Sequence, residues 1–269
     1  MAYNVGGLKN KFLFPKFFEF VKYHDVFFLF ETHVVESEFE RFNKYFEGFD
    51  LRWATATRNS RFGRLSGGYV YGIKASDYVR SKVRFENVNH NDVSLAKIGQ
   101  CAVFFVPFYL NCNHWEREFA GLEMVLNSVV EEGGNVVLIG DMNARVGERQ
   151  AVCAEMDVDA DKYPSQRSSK DRVSNGRGSR FLELLEDHQL LILNGRCRGD
   201  REGELTFIGP NGASVIDYCC ATSEVLNLIE DFSIGKEHFS DHMPLILAIH
   251  LGEHRDEKWL PRDRKFNDF

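Results

Sequence analysis

The chain has 269 residues, 43% of them hydrophobic and 27% charged, enough for one large domain with a full core. Its net charge of −7 argues against a protein that coats nucleic acid through a basic surface, but not against an enzyme that gathers carboxylates around a cation. The six cysteines include no Cys-x-x-Cys pair or zinc spacing, and the longest uncharged stretch (98–115) is broken by Pro107. Reduced, buried thiols in a nuclear or cytoplasmic protein with no membrane partner are therefore expected.

In chain order, Ala2-Tyr3-Asn4-Val5 enters a strand at once, with no signal-peptide pattern. A helix is expected over 14–23 and a strand over 26–30, followed by Glu31-Thr32-His33; a second helix is expected over 36–45. Arg58, Arg61 and Arg64 read as a solvated basic loop, and Ser66-Gly67-Gly68 leads into a strand ending at Ile73. The apolar run 102–106 is the next strand, with Pro107 and Tyr109 at its end. Trp115, Phe119, Leu122, Leu126 and Val129 keep the spacing of one apolar helix face.

Val136 to Ile139 is a buried strand that ends in Gly140-Asp141-Met142-Asn143, and alternation puts Asp141 and Asn143 on one side of the pleat. From Asn143 to Gly178 no period is sustained, and between Lys162 and Arg180 the chain carries Lys162, Arg167, Lys170, Arg172, Arg177 and Arg180 against Asp171 alone. So long a loop leaving a candidate site is expected to touch substrate. A short helix follows over 181–188, then strands over 190–193 and 215–220. The second holds Asp217, a carboxylate in an apolar run that needs a partner such as histidine. Ser240-Asp241-His242 precedes the strand 245–251, and the residues from Gly252 form a charged tail. Strands outnumber helices and many are continuous rather than alternating, which favours packed sheets flanked by helices over a doubly wound sheet.

Asn4, Glu31-Thr32, Ser66-Gly67-Gly68, Tyr109, Gly140-Asp141-Met142-Asn143, Ile216-Asp217-Tyr218 and Ser240-Asp241-His242-Met243-Pro244 form one ordered series over most of the chain. This series resembles the endonuclease/exonuclease/phosphatase superfamily, which includes abasic-site endonucleases. Ser168-Ser169-Lys170-Asp171, Asn175-Gly176-Arg177-Gly178, Leu193-Asn194-Gly195-Arg196 and Glu204-Leu205-Thr206-Phe207 look more narrowly like the endonuclease domains of non-LTR, LINE-type retrotransposons.

The resemblance implies a four-layer α/β sandwich over 1–251, two packed mixed β-sheets flanked by helices, with 252–269 as a tail or linker. It implies a DNA endonuclease that nicks target DNA for retrotransposition and leaves 3′-hydroxyl and 5′-phosphate ends. Glu31, Asp241 and Asn4 would hold Mg²⁺ (or Mn²⁺), hard cations suited to oxygen donors. Asp141, Asn143, His242, Asp217 and Tyr109 would be catalytic, with Asp217 orienting His242; Arg167, Lys170, Arg172, Asn175 and Arg177 would meet the substrate. DNA is the implied partner, with a reverse-transcriptase domain of the same polyprotein as another. Competing readings are a phosphatase or phospholipase of this fold, acting on inositol phosphates or sphingomyelin, and a non-catalytic binding domain.

Overall fold

The apolar runs are continuous because both faces of each strand are covered. Phe27 and Leu29 pack outward under helices while Phe28 and Phe30 pack inward, and Val136 and Leu138 alternate in the same way with Val137 and Ile139. The computed structural model describes residues 1–250 apart from 59–62, 89–90, 99–100, 153–155 and 157. Arg61, Cys153 and the tail 252–269 lie outside the described residues.

The first part of the chain supplies β1 (Ala2–Asn4), α1 (Lys16–Lys22), β2 (Val26–Phe30), α2 (Phe39–Asn43), β3 (Phe49–Ala54), β4 (Thr57–Arg58), β5 (Leu65–Ser66), β6 (Tyr69–Lys74) and α3 (Asp77–Lys82). The middle supplies β7 (Val83–Val88), β8 (Asn91–Ile98), β9 (Cys101–Tyr109), α4 (Trp115–Glu131) and β10 (Asn135–Asp141). The last part supplies α5 (Gly176–Asp187), β11 (Leu190–Ile192), β12 (Phe207–Gly209), β13 (Gly212–Ser214), β14 (Asp217–Thr222), α6 (Ser223–Leu226), β15 (Ile229–Ile234) and β16 (Leu245–Ile249).

Two six-stranded mixed sheets result, in the orders β15-β16-β1-β2-β6-β3 and β11-β14-β10-β9-β8-β7. One core lies between them, built from Phe28, Phe30 and Tyr71 of one sheet and Val103, Val137, Ile139 and Cys219 of the other. A second core seats α4 and α5 on the outer face of the second sheet, and a third seats α1 and α2 on the first. The architecture is the four-layer α/β sandwich expected. No helix among the described residues is long and apolar enough to cross a membrane.

The expected helix over 36–45 is broken into a 3-10 turn (Glu36–Glu38), α2 and another 3-10 turn (Lys44–Phe46), which still present Phe42 and Phe46 to the core. Among the described residues between β10 and α5 the chain makes no regular element, only isolated bridges such as Val146 to Ser174. Buried Arg196 fixes that loop by donating to the carbonyls of Gln150, Pro164, Ser165 and Ile192. Gly195, at φ 75°, lets the loop close on it: a Cβ there would lie 1.8 Å from the carbonyl oxygen of Ser168.

Candidate active site

Three adjacent strands of the second sheet end in register. Asp141, at the end of β10, sits opposite Tyr109 on β9 and opposite Asp217 on β14, so the pairing lays one row of polar side chains across the sheet rim. Gly140 before it has φ 149°, and a Cβ there would lie 2.0 Å from the Phe108 carbonyl oxygen. Only glycine lets β10 run this close to β9 where the row forms.

His242 completes the row from the loop before β16. Its Nδ1 lies 3.0 Å from both oxygens of Asp217, and its Nε2 lies 3.8 Å from Oδ2 of Asp141. Among the described residues, Asp141, Asp217 and His242 hold ligand-type atoms all within 4.8 Å of one another. Phe207 packs edge-on against the imidazole. Thr206 accepts the N–H groups of Ile216 and Asp217 on its hydroxyl and gives its carbonyl to Met243, while Asn194 donates to the Asp217 carbonyl and accepts from Cys219. Both Thr206 and Asn194 are fully buried. The Asn194 and Thr206 motifs thus frame Asp217 from behind, a role that spacing alone did not assign.

Burial and the neighbouring Asp217 charge push the Asp141 carboxyl well above the usual carboxylate range, against the opposing effects of His242, Asn4 and Asn143. Burial pulls His242 down, but the charges of Asp217 and then Asp141 outweigh it and lift the imidazole to about 9. At neutral pH the row therefore holds an imidazolium between two carboxyl groups.

The first sheet supplies the facing wall. Asn4, at the end of β1, donates its Nδ2 to Asp141 Oδ2 at 2.9 Å and accepts the Gly6 N–H. Glu31 follows β2 in a left-handed conformation (φ 52°) and accepts from the Gly67 N–H, from the Tyr109 hydroxyl and from His33. Burial raises Glu31, but these hydrogen bonds prevail and hold it below the usual range, as an anion. Tyr109 therefore links the two walls, with its ring beside Asp141 and its hydroxyl on Glu31. Asn143, at φ 45°, donates Nδ2 to the Leu110 carbonyl, and the exposed Cys112 thiol donates to its Oδ1 at 3.0 Å. Asp141 accepts the Asn143 N–H.

The structure thus brings Asn4, Glu31, Tyr109, Asp141, Asn143, Asp217 and His242 into one site. Asp241 is exposed beside it; its carbonyl takes the Ile208 N–H. His33 and Cys112 joined the site without warning, because their signal is spatial.

The expected substrate residues divide. Arg167 does not reach solvent: it is 3% exposed and donates Nε to the Asn194 carbonyl and Nη1 to that of Gly147, so it closes the loop onto the core instead of meeting substrate. Asn175 caps α5 through the Gly178 N–H. Lys170 is exposed and paired with Glu204, and Arg172 is exposed. Arg177 lies nearest the site, donating to the Cys112 carbonyl with its guanidinium 5.5 Å from the Trp115 ring.

Residues 103–246, more than half of the chain, match a protein-family model described as endonuclease-reverse transcriptase. No curated protein matches in sequence. Among solved structures, the AP endonuclease LMAP from Leishmania major aligns with a TM-score of 0.68 at 14% identity, covering 93% of this chain and 86% of that one. The endonuclease domain of TRAS1, a telomere-specific non-LTR retrotransposon, aligns with a TM-score of 0.59 at 16% identity, covering 93% and 96%. The 3′-5′ exonuclease NExo from Neisseria meningitidis aligns with 0.59 at 17% identity, covering 93% and 98%. At these identities the likeness is one of fold.

Proposed function

The chain belongs to the endonuclease-reverse transcriptase family, and from that premise we propose that it is a divalent-cation-dependent DNA endonuclease that nicks target DNA for retrotransposition. The observation that carries this reading is the row Tyr109–Asp141–Asp217–His242, in which one carboxylate orients an imidazole and another faces that imidazole across an open edge.

The roles follow from protonation. With Nδ1 held by Asp217 and the ring lifted to about 9, His242 carries a proton on Nε2 at neutral pH. It serves as a cationic donor to the charge that develops on the phosphoryl oxygens. Asp141, raised towards the working pH, is the group placed to take the proton of the attacking water. Asn143, held between Leu110 and Cys112, keeps an amide hydrogen for a phosphate oxygen.

Glu31, Asn4 and Asp141 form an all-oxygen donor set with one carboxylate held ionised, which fits Mg²⁺ or Mn²⁺. When bound there, such an ion supplies Lewis-acid stabilisation of charge on the scissile phosphate. Attack by water on phosphorus with the 3′ oxygen leaving gives 3′-hydroxyl and 5′-phosphate ends. A nick of that kind can prime a reverse-transcriptase domain of the same polyprotein.

Conversion of supercoiled plasmid to open circle with Mg²⁺, with and without EDTA, tests the reading. Cation-dependent nicking is expected, abolished in Glu31→Ala and reduced on the order of 10²–10³-fold in His242→Ala. Folded wild type that does not nick, or that releases phosphate only from inositol phosphates, overturns it.

DNA contact is assigned to Arg177 and Arg172 and not to Arg167. Arg177→Ala is expected to flatten the slope of log K against log salt by about one. Arg167→Ala is expected to leave the slope unchanged and to lower folding stability by about 3 kcal/mol, since it strands buried carbonyls. Salt titrations of binding and urea unfolding of both variants separate the two roles.

A further inference from the structure

We propose that the tip formed by Phe12, Leu13 and Phe14 is an apolar wedge that enters duplex DNA at a base step beside the scissile phosphate; this rests on the endonuclease reading above. Leu13 is 79% exposed, flanked by Phe12 at 37% and Phe14 at 39%. Among the described residues no other three consecutive large apolar side chains are exposed.

The tip is rigid. The Phe12 ring packs against Phe18, Phe42 and Tyr45 at 4.9–5.6 Å, and the Phe14 ring meets Phe239 edge-on at 5.8 Å. Beneath them Lys11, 4% exposed, donates its ammonium to the Phe239 carbonyl. Pro15 follows and limits the backbone on that side. A buried lysine bonded to a carbonyl is a costly anchor, and it fastens the tip to the loop that carries Ser240, Asp241 and His242. The tip is thereby tied to the loop that carries the catalytic imidazole, and Leu13 projects into water between two packed aromatic shoulders.

Size and charge favour DNA over a protein partner. Three side chains are far below the ~800 Å² that each side of a stable protein interface buries, but they match the wedge that minor-groove proteins push between stacked bases. Residues 9–16 hold no carboxylate, and exposed Lys9 (paired with Glu38) and Lys16 flank the tip, which suits a phosphate backbone; Lys11 is buried as the anchor and takes no part in that contact. Unstacking beside the cut site would also favour deformable pyrimidine–purine steps, giving target preference without base-edge contacts.

The experiment compares wild type with Leu13→Ser and Leu13→Phe, whose exposed position leaves folding intact. Affinity is measured in EDTA for duplex and single-stranded DNA, with 2-aminopurine fluorescence in the duplex and plasmid nicking in Mg²⁺. Leu13→Ser is expected to bind duplex about ten-fold more weakly, to lose the fluorescence rise of unstacked 2-aminopurine and to nick correspondingly less, with single-strand binding unchanged; Leu13→Phe retains all three. Wild-type nicking left intact in Leu13→Ser overturns the wedge alone. Absence of duplex binding and nicking in the wild type overturns the endonuclease reading and the wedge with it. A change from dimer to monomer in Leu13→Ser with unaltered DNA binding also overturns the wedge, making the tip a contact between copies.

Discussion

Asp217→Asn is expected to lower turnover on the order of 10³-fold while duplex affinity stays within about two-fold, since the residue orients a catalytic group and lies behind it. Its carboxylate holds His242 Nδ1 at 3.0 Å and is itself 3% exposed, so an amide of the same shape keeps the packing and the hydrogen bonds to Thr206 and Asn194, which run through the main chain. What changes is charge. Asp217 is the largest influence raising His242, so its loss brings the imidazole down from about 9. The same charge helps to hold Asp141 up, so Asp141 falls too. The pH–rate profile has an acid limb that requires Asp141 without its proton and an alkaline limb that requires His242 with one. Both limbs are therefore expected to move to lower pH in Asp217→Asn. A turnover defect with an unmoved profile would mean that Asp217 acts only by packing.

That pairing was legible in the sequence because a carboxylate inside an apolar strand has to find a partner. Gly140-Asp141 was legible for a similar reason: a strand of four aliphatic residues ends at a glycine, and the polar residues follow at once. The sandwich was visible in runs such as 26–30 and 136–139, where both faces had to be covered. The strands β3, β7 and β15 were not foreseen, because Asp50 and Arg52, Arg84 and Glu86, or Glu230 and Asp231 interrupt them, and their half-exposed faces carry no continuous apolar signal; β8 was missed although Val93 to Ala96 are buried, because Asp92, Ser94 and Lys97 break its apolar run.

The errors and omissions share one cause. Arg167 sits in a basic loop and reads as a surface cation, yet the loop folds back on Gly195 and turns that guanidinium into a set of donors for orphaned carbonyls. Thr206, Asn194 and Lys11 support the site through contacts between segments distant in the chain. No local spacing encodes such contacts; they exist only once the two sheets have stacked.

Asp141→Asn is expected to abolish nicking and yet, in EDTA above neutral pH, to unfold at a higher temperature than the wild type. Asp141 is 1% exposed and lies in register with Asp217, so in the folded state its ionised form is disfavoured by burial and by like charge. Its native pKa is raised above the unfolded value. The stability it contributes is therefore present at low pH and lost as pH rises from the ordinary carboxylate range upward. His242 has the same sign: raised to about 9, it contributes stability that is complete below 6.5 and lost as pH passes through about 9. Asparagine removes the Asp141 penalty but also loses the carboxylate oxygen that accepts the Asn4 amide, so the net gain is on the order of 1–2 kcal/mol. Thermal unfolding across pH in EDTA measures it: the variant's advantage grows above neutrality and vanishes as pH falls into the carboxylate range. Added Mg²⁺ is expected to reverse the order, because an ion bound at Glu31, Asn4 and Asp141 stabilises the native wild type by mass action and has one carboxylate fewer in the variant. A variant less stable than the wild type at every pH, with and without Mg²⁺, would mean that Asp141 holds the two sheets together and stores no electrostatic strain.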